Sequence, residues 1–247
     1  MIKKLIFCLA ITLSFSSSAD ISKDRSGFLY GFGLSTNKEI YKDYDRRNLL
    51  LPIIGYKGEK FNVYGPFVSY EVEKISGIKI LVQAAPRFQG FDDDDSYIFD
   101  GMADRKFSMD AGIGLHYKKD DWKITFSSMF DVLARSNGME LTSSIGNIFR
   151  FGPIFIEPKI TFSYLDSNHV DYYYGVGIDE INVNRTAYVG QSALNTSISL
   201  SISTPIFLGG YTQININHTW FDSVITDSPL VEDHSTLIIR ILYTRKF

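Results

Sequence analysis

The most regular stretch of the chain runs from Ser197 to Ser203. Ile198, Leu200 and Ile202 share one parity, and serines occupy the other. Alternation at period two marks a β-strand with one apolar and one polar face. The pattern recurs. Phe107, Met109, Ala111, Ile113, Leu115 and Tyr117 alternate with Ser108, Asp110, Gly112, Gly114 and His116. Trp122, Ile124, Phe126, Ser128 and Phe130 alternate with Lys123, Thr125, Ser127, Met129 and Asp131. Ile154, Ile156, Ile160, Phe162 and Tyr164 alternate with Phe155, Glu157, Lys159, Thr161 and Ser163. Less regular candidates are Gly27–Ser35, Leu49–Tyr56, Phe61–Tyr70, Ile78–Phe88, Leu141–Phe151, Tyr211–Trp220 and Ser235–Phe247.

A soluble β-sandwich also alternates. Three features favour a membrane barrel. The segments run about 9–13 residues, which suits a tilted membrane strand. Their polar faces carry Ser, Thr, Asn and Gly, as an enclosed lumen would. Their apolar faces end in rings such as Trp122, Tyr117, Tyr164 and Trp220, where an interface belt would lie. The final strand keeps Leu237, Ile239, Ile241, Tyr243 and Phe247 on one parity, and ends on an aromatic. That ending is similar to the signal read by outer-membrane assembly machinery.

These candidates number 11. A bacterial single-chain barrel has an even number of strands, so the expectation is a closed antiparallel barrel of about 12, with 10 as the alternative. Counting back from Phe247 puts short turns at Thr204–Phe207, Arg150–Pro153 and Lys118–Asp121 on one rim. The long segments near 221–233, 165–187, 132–140 and 89–104 fall on the other. The scheme fails at Asn37–Asn48 and Lys57–Lys60, so a strand is missing or falsely counted between residues 27 and 104.

The first residues read as an export signal. Lys3 and Lys4 precede an apolar run from Leu5 to Phe15, and Ser17 and Ala19 are small residues before a cleavage point at Asp20. Residues 1–19 are therefore expected to be a signal peptide, and 20–247 the barrel. The run is too short for a membrane anchor helix. Cys8 lies inside it after Phe7, which argues against a lipoprotein anchor, and it is the only cysteine of the 247 residues. A cleaved chain would have no disulfide or thiolate chemistry. Aromatic residues make up 15% of the chain, which a barrel wall accommodates more readily than a soluble core. Removing Lys3 and Lys4 leaves 23 basic and 28 acidic residues, a charge of −5, which argues against nucleic-acid binding.

Several short segments match a known family in order. They are Gly31-Phe-Gly-Leu34, Leu51-Pro-Ile-Ile-Gly-Tyr56 and Phe61-Asn-Val-Tyr-Gly65, then Asp100-Gly-Met-Ala-Asp-Arg105 running into Met109-Asp-Ala-Gly-Ile-Gly114. Tyr172-Tyr-Tyr-Gly-Val-Gly177 with Glu180, Tyr188, and Asp227-Ser-Pro-Leu-Val231 follow. In this order the chain resembles the MltA-interacting protein family, MipA/OmpV. The resemblance implies an outer-membrane protein. It also implies a scaffold that links a lytic murein transglycosylase to a bifunctional murein synthase. No motif identifies either contact surface.

Candidate contacts are few. Asp104 and Arg105 would pair in the barrel mouth and fold a loop inward, or simply form a glycine turn. Asp92 to Asp95 would either hold a divalent ion that bridges lipopolysaccharide phosphates or form a solvated acidic loop, and the EF-hand spacing is absent. Tyr172, Tyr173 and Tyr174 lie in the longest loop, Asp166 to Ala187, where they would cover the lumen, dock a partner or join an interface belt. Glu157 and Lys159 are expected on the lumen face. Of His116, His169, His218 and His234, the last two adjoin Asn217 and Ser235, but neighbours on a strand point to opposite faces and form no dyad. No metal-ligand or cofactor motif occurs. Asn195–Ser197 and Asn217–Thr219 match glycosylation sequons and read as ordinary strand residues.

Three functions follow as expectations. The first is a non-catalytic envelope adaptor set among outer-membrane lipids and lipopolysaccharide. The second is a narrow diffusion channel, since at about 12 strands the lumen side chains decide whether a barrel conducts. The third, a lipid-modifying enzyme, has the least support in the residues.

Overall fold

The computed structural model describes residues 26–44 and 46–247. The expected signal peptide, 1–19, lies outside them. Thirteen strand segments form one antiparallel sheet. They are β1 (Gly27–Lys38), β2 (Arg46–Lys57), β3 (Phe61–Tyr64), β4 (Phe67–Ile75), β5 (Ile78–Arg87), β6 (Ser108–Lys119) and β7 (Trp122–Asp131). Then follow β8 (Met139–Asn147), β9 (Phe149–Phe151), β10 (Ile154–Leu165), β11 (Ala193–Thr204), β12 (Tyr211–Trp220) and β13 (Ser235–Lys246). β9 continues β8 past Ile148, and both pair with β10. The wall is therefore 12 strands around, closed by β1 against β13 and β10 against β11.

Closure leaves the apolar parity outside. Leu50, Leu34, Ile241, Ile214, Ile202 and Ile156 are in-register partners from β2 through β1, β13, β12 and β11 to β10. This row of aliphatic side chains on the outer wall has no reason to exist in water and suits hydrocarbon. No helix among the described residues is long and apolar enough to cross a membrane. The strands themselves do the spanning.

Short turns and long loops separate by rim, which places the turns in the periplasm and the loops outside. The N-terminal mismatch has one cause. The candidate strand Phe61–Tyr70 is two strands, β3 and β4, folded back at Gly65–Pro66. Gly65 adopts φ +57, which a glycine reaches without steric cost. With that turn counted, Asn37–Asn48 holds a long loop on the loop rim and Lys57–Lys60 a short turn on the turn rim.

The enclosed face is polar around only part of the barrel. From β6 to β12 the inward parity is polar apart from a few side chains such as Met129 and Phe155: Asp110, Thr125, Glu140, Lys159, Ser199 and Asn215. On β13, β1, β2 and β4 the inward side chains include Leu29, Leu49, Leu51, Ile53, Phe67 and Leu242, packed into two apolar clusters.

Candidate functional site

The loop rim carries a folded cap with its own core. Ile40, Tyr41, Phe91, Phe99, Val170, Tyr173, Ile225 and Leu230 are among the side chains that pack together there. Phe91 and Phe99 stack with centroids 3.8 Å apart, and Tyr41 stacks on Tyr174 at 5.6 Å. A backbone bridge from Tyr41 to Val231 ties two of the loops together, and the bridges Phe91 to Arg105 and Val176 to Tyr188 brace the loops after β5 and β10 from within.

The long loop after β10 contains a helix, α1 (Ser167–Tyr174), where sequence reading expected loop. Asp166 caps it by accepting the His169 N–H at 2.9 Å. Val170, Tyr173 and Tyr174 recur at i, i+3 and i+4 and face the cap core. Gly138 and Gly190 let the helix seat. A Cβ at Gly138 would come within 2.7 Å of the His169 backbone, and one at Gly190 within 2.4 Å of the Asp171 nitrogen.

The three tyrosines, expected to cover the lumen, dock a partner or join an interface belt, lie in this cap. Tyr173 and Tyr174 are buried, and Tyr174 Oη accepts from the Gln89 amide at 2.9 Å. Tyr172 Oη accepts the Lys106 N–H at 2.9 Å. Arg105 is not paired with Asp104. Its guanidinium binds both oxygens of Glu180, at 3.0 and 2.8 Å, and the Tyr172 carbonyl at 2.7 Å. Asp104 instead accepts from the Asp93 N–H at 3.3 Å. Burial alone would raise Glu180, but bonds from Arg105 and from the Gly177 and Ala103 N–H groups outweigh it and hold the carboxyl below the ordinary Glu value.

Sequence reading missed Arg185, one of the most buried large side chains. It donates to the backbone carbonyls of Glu180 and Ile98, and to that of Asp100 at 3.3 Å. No spacing rule marks an arginine whose acceptors are main-chain oxygens. His169 is also buried in the cap, with Nε2 3.2 Å from Gln89 Oε1. Burial first, and the nearby Arg87 charge second, push its pKa well below 6.5.

Beneath the cap is a cavity of about 250 Å³. One side of it is charged: Arg87 bridges Asp110 and Glu140, the latter at 2.9 Å. The other side is a wall of hydroxyls and amides, Ser199, Ser201, Asn215 and Asn217, with the cations Lys159 and Arg240 among them. Glu157 and Lys159 lie on the inward parity of β10, and Glu157 pairs with Lys123 at 2.6 Å. Toward the turn rim the lumen is narrowed by that pair, by Phe155 and by the cluster of Leu29, Ile53, Tyr64, Tyr211 and Leu242.

Other candidates are dispersed. Asp92 and Asp95 bond within their own turn, at 2.9 and 3.1 Å, and Asp95 accepts from Tyr44. Among the described residues no cluster of His, Cys, Asp and Glu is arranged to hold a metal. His218 pairs with Ile198 on the outer wall and lies edge-on to Trp220 at 4.4 Å, so it faces the belt rather than the lumen.

The model of the family described as MltA-interacting protein MipA matches residues 30–247. The chain is 26% identical to the MltA-interacting protein of Escherichia coli (strain K12) over 245 residues, 97% of this chain and 98% of that one. It is 22% identical to Outer membrane protein OmpV of Vibrio cholerae over 209 residues, 84% of this chain and 81% of that one. Among solved structures, in-vitro folded OmpT of Vibrio cholerae aligns with TM-score 0.37 and 8% identity, covering 90% of this chain and all of the other. That likeness adds nothing to what the strand pairing already shows. With the family model spanning all but the first strand's opening residues, this lipid-facing barrel is an outer-membrane protein and belongs to the MltA-interacting protein MipA family.

Proposed function

We propose that the barrel is a non-catalytic anchor whose turn rim docks murein-processing enzymes: a lytic transglycosylase and a bifunctional synthase. The observation that carries this reading is the cap. A packed apolar core over the loop end suits a protein that holds a partner better than one that passes solutes. The name of the full-length relative, MltA-interacting protein, supports the first partner.

Charge supports the side. Lys60, Lys74, Lys118, Lys119, Arg245 and Lys246 are exposed around the turn rim, against Glu59, Glu73, Asp120 and Asp121. Acidic residues gather at the opposite rim, among them Asp93, Asp94, Asp104, Asp179 and Glu232. A basic collar at the periplasmic face steers an acidic partner there and is sensitive to salt. The aliphatic belt would meet lipid chains, with lipopolysaccharide around the acidic loop rim.

Capture tests the reading. Immobilised full-length barrel in detergent should retain a purified lytic transglycosylase, and Lys118→Glu with Lys119→Glu should weaken retention by about tenfold at low salt. Equal retention by the double variant would move the contact elsewhere. No retention at any salt by the unaltered barrel contradicts the adaptor reading.

A further inference from the structure

The barrel wall has a gap in its hydrogen bonding. β2 is laddered to β1 along its whole length, but to β3 only over Gly55–Lys57. β5 is laddered to β6 as far as Arg87, but to β4 only as far as Ala84, opposite Val68. β3 and β4 turn at Gly65–Pro66 and never climb to the loop rim. The loop-side half of β2 and the tip of β5 therefore border each other without a ladder among the described residues. From Asn48 to Pro52 that free edge is about 13 Å long.

Two prolines mark its borders. The Ile54 carbonyl accepts the Gly65 N–H at 3.1 Å, so the polar groups of Ile54 point toward the gap. Strand alternation puts those of Pro52 on the same edge. Across the gap, the Met109 carbonyl accepts from Val132 N–H on the β7 side. Asp110 and its partner Ala85 therefore bond to each other, and Pro86 turns its nitrogen toward the gap. A proline inside a strand is tolerated where no ladder partner waits. Here one sits on each border.

Both faces of the gap are apolar. Outside, Leu50 and Ile54 are 61% and 74% exposed, and Leu50 lies in the aliphatic row of the belt. Inside, Phe67 packs with Leu49, Leu51, Ala85, Phe88 and Ile238, its ring edge-on to Phe88 at 6.4 Å. A small crevice continues past Gly33, Ile53 and Leu242. Arg47 straps the upper end, donating to the carbonyls of Phe88 at 3.1 Å and Gly90 at 2.8 Å.

We propose that this gap is a lateral window, and that its occupant is a hydrocarbon chain of a lipid in the outer leaflet. The medium against the outer edge is hydrocarbon, and the surface behind it is the apolar part of an otherwise polar lumen. Each proline removes a donor that would be left unpaired in lipid. Gly65–Pro66 is the sill, Arg47 the lintel and Phe67 the side chain a chain must displace. The window does not depend on whether the turn rim docks an enzyme.

The test is photo-crosslinking in vesicles of phosphatidylethanolamine and phosphatidylglycerol. A benzophenone amino acid replaces Leu51, which faces inward at the window. Ile54 is the lipid-facing control and Ser199 the enclosed one. Position 51 is expected to give lipid adducts by mass spectrometry at a yield at least about tenfold above position 199, the contrast between hydrocarbon contact and its exclusion. Should the Leu51 variant fail to assemble, Ile238 on β13 carries the same probe against the same cluster. Adducts at the inward site no more frequent than at Ser199, while Ile54 labels, would overturn the proposal.

Discussion

Arg185 shows how much of the cap depends on single charged side chains. It is a cation whose bonds all end on main-chain carbonyls, from the loop after β5 and the loop after α1. Arg185→Ala strands those acceptors, at about 1–3 kcal/mol for each one left unpaired. We expect the cap loops to become protease-sensitive while the barrel keeps its thermal transition, and limited proteolysis in detergent checks this. Protons act on the same element. His169 is held neutral below its ordinary value of 6.5, so the opened cap binds a proton that the closed cap does not. Its contribution is complete above about pH 6.5 and is lost as the pH falls. Glu180, held below 4.5, adds a second loss at lower pH. The protection of α1 against amide exchange, taken relative to the intrinsic rate at each pH, should therefore fall on acidification, and His169→Asn should remove the limb that begins near pH 6.5 while leaving the one at lower pH. At this scale sequence reading singled out Arg105 and the tyrosines, because loops with dense aromatics stand out. It did not find Glu180 as the partner, 75 residues away, because periodicity carries no information about loop-to-loop contacts.

At the level of elements, strands were legible and their interruptions were not. Tyr211–Trp220 and Trp122–Asp131 stand where alternation put them. Phe61–Tyr70 read as one strand because Phe61, Val63, Val68 and Tyr70 are apolar on both sides of a turn. The Gly65–Pro66 pair was the available signal, since glycine supplies a positive φ and proline cannot continue a central strand. Gly65→Val should cost at least about 1–2 kcal/mol through its left-handed backbone. The expected result is a lower unfolding temperature of the refolded barrel, read from the heat-dependent shift in gel mobility. An unchanged temperature would mean that the β3–β4 turn is not under that constraint. α1 was also legible in principle, from Asp166 as a cap and the i, i+3, i+4 spacing of Val170, Tyr173 and Tyr174. It is eight residues long, too short for periodicity to stand out from the surrounding loop.

For the whole molecule, outward and inward parity distinguished wall from lumen, and the family resemblance pointed to the same fold. The lumen's two-sidedness was hidden because β2, with Leu49, Leu50, Leu51, Ile53 and Ile54, is apolar on both faces and shows no alternation. The cap was hidden because its core is assembled from loops distant in sequence. The cap and the narrowed turn end together support the central proposal, that this is an anchoring barrel rather than an open pore. Planar-bilayer recording on the full-length protein tests it most directly. The unaltered barrel should insert without steady conductance steps, and Arg185→Ala should introduce flickering ones. Stable ohmic steps from the unaltered barrel, with a size that responds to Lys159→Glu, would contradict the account.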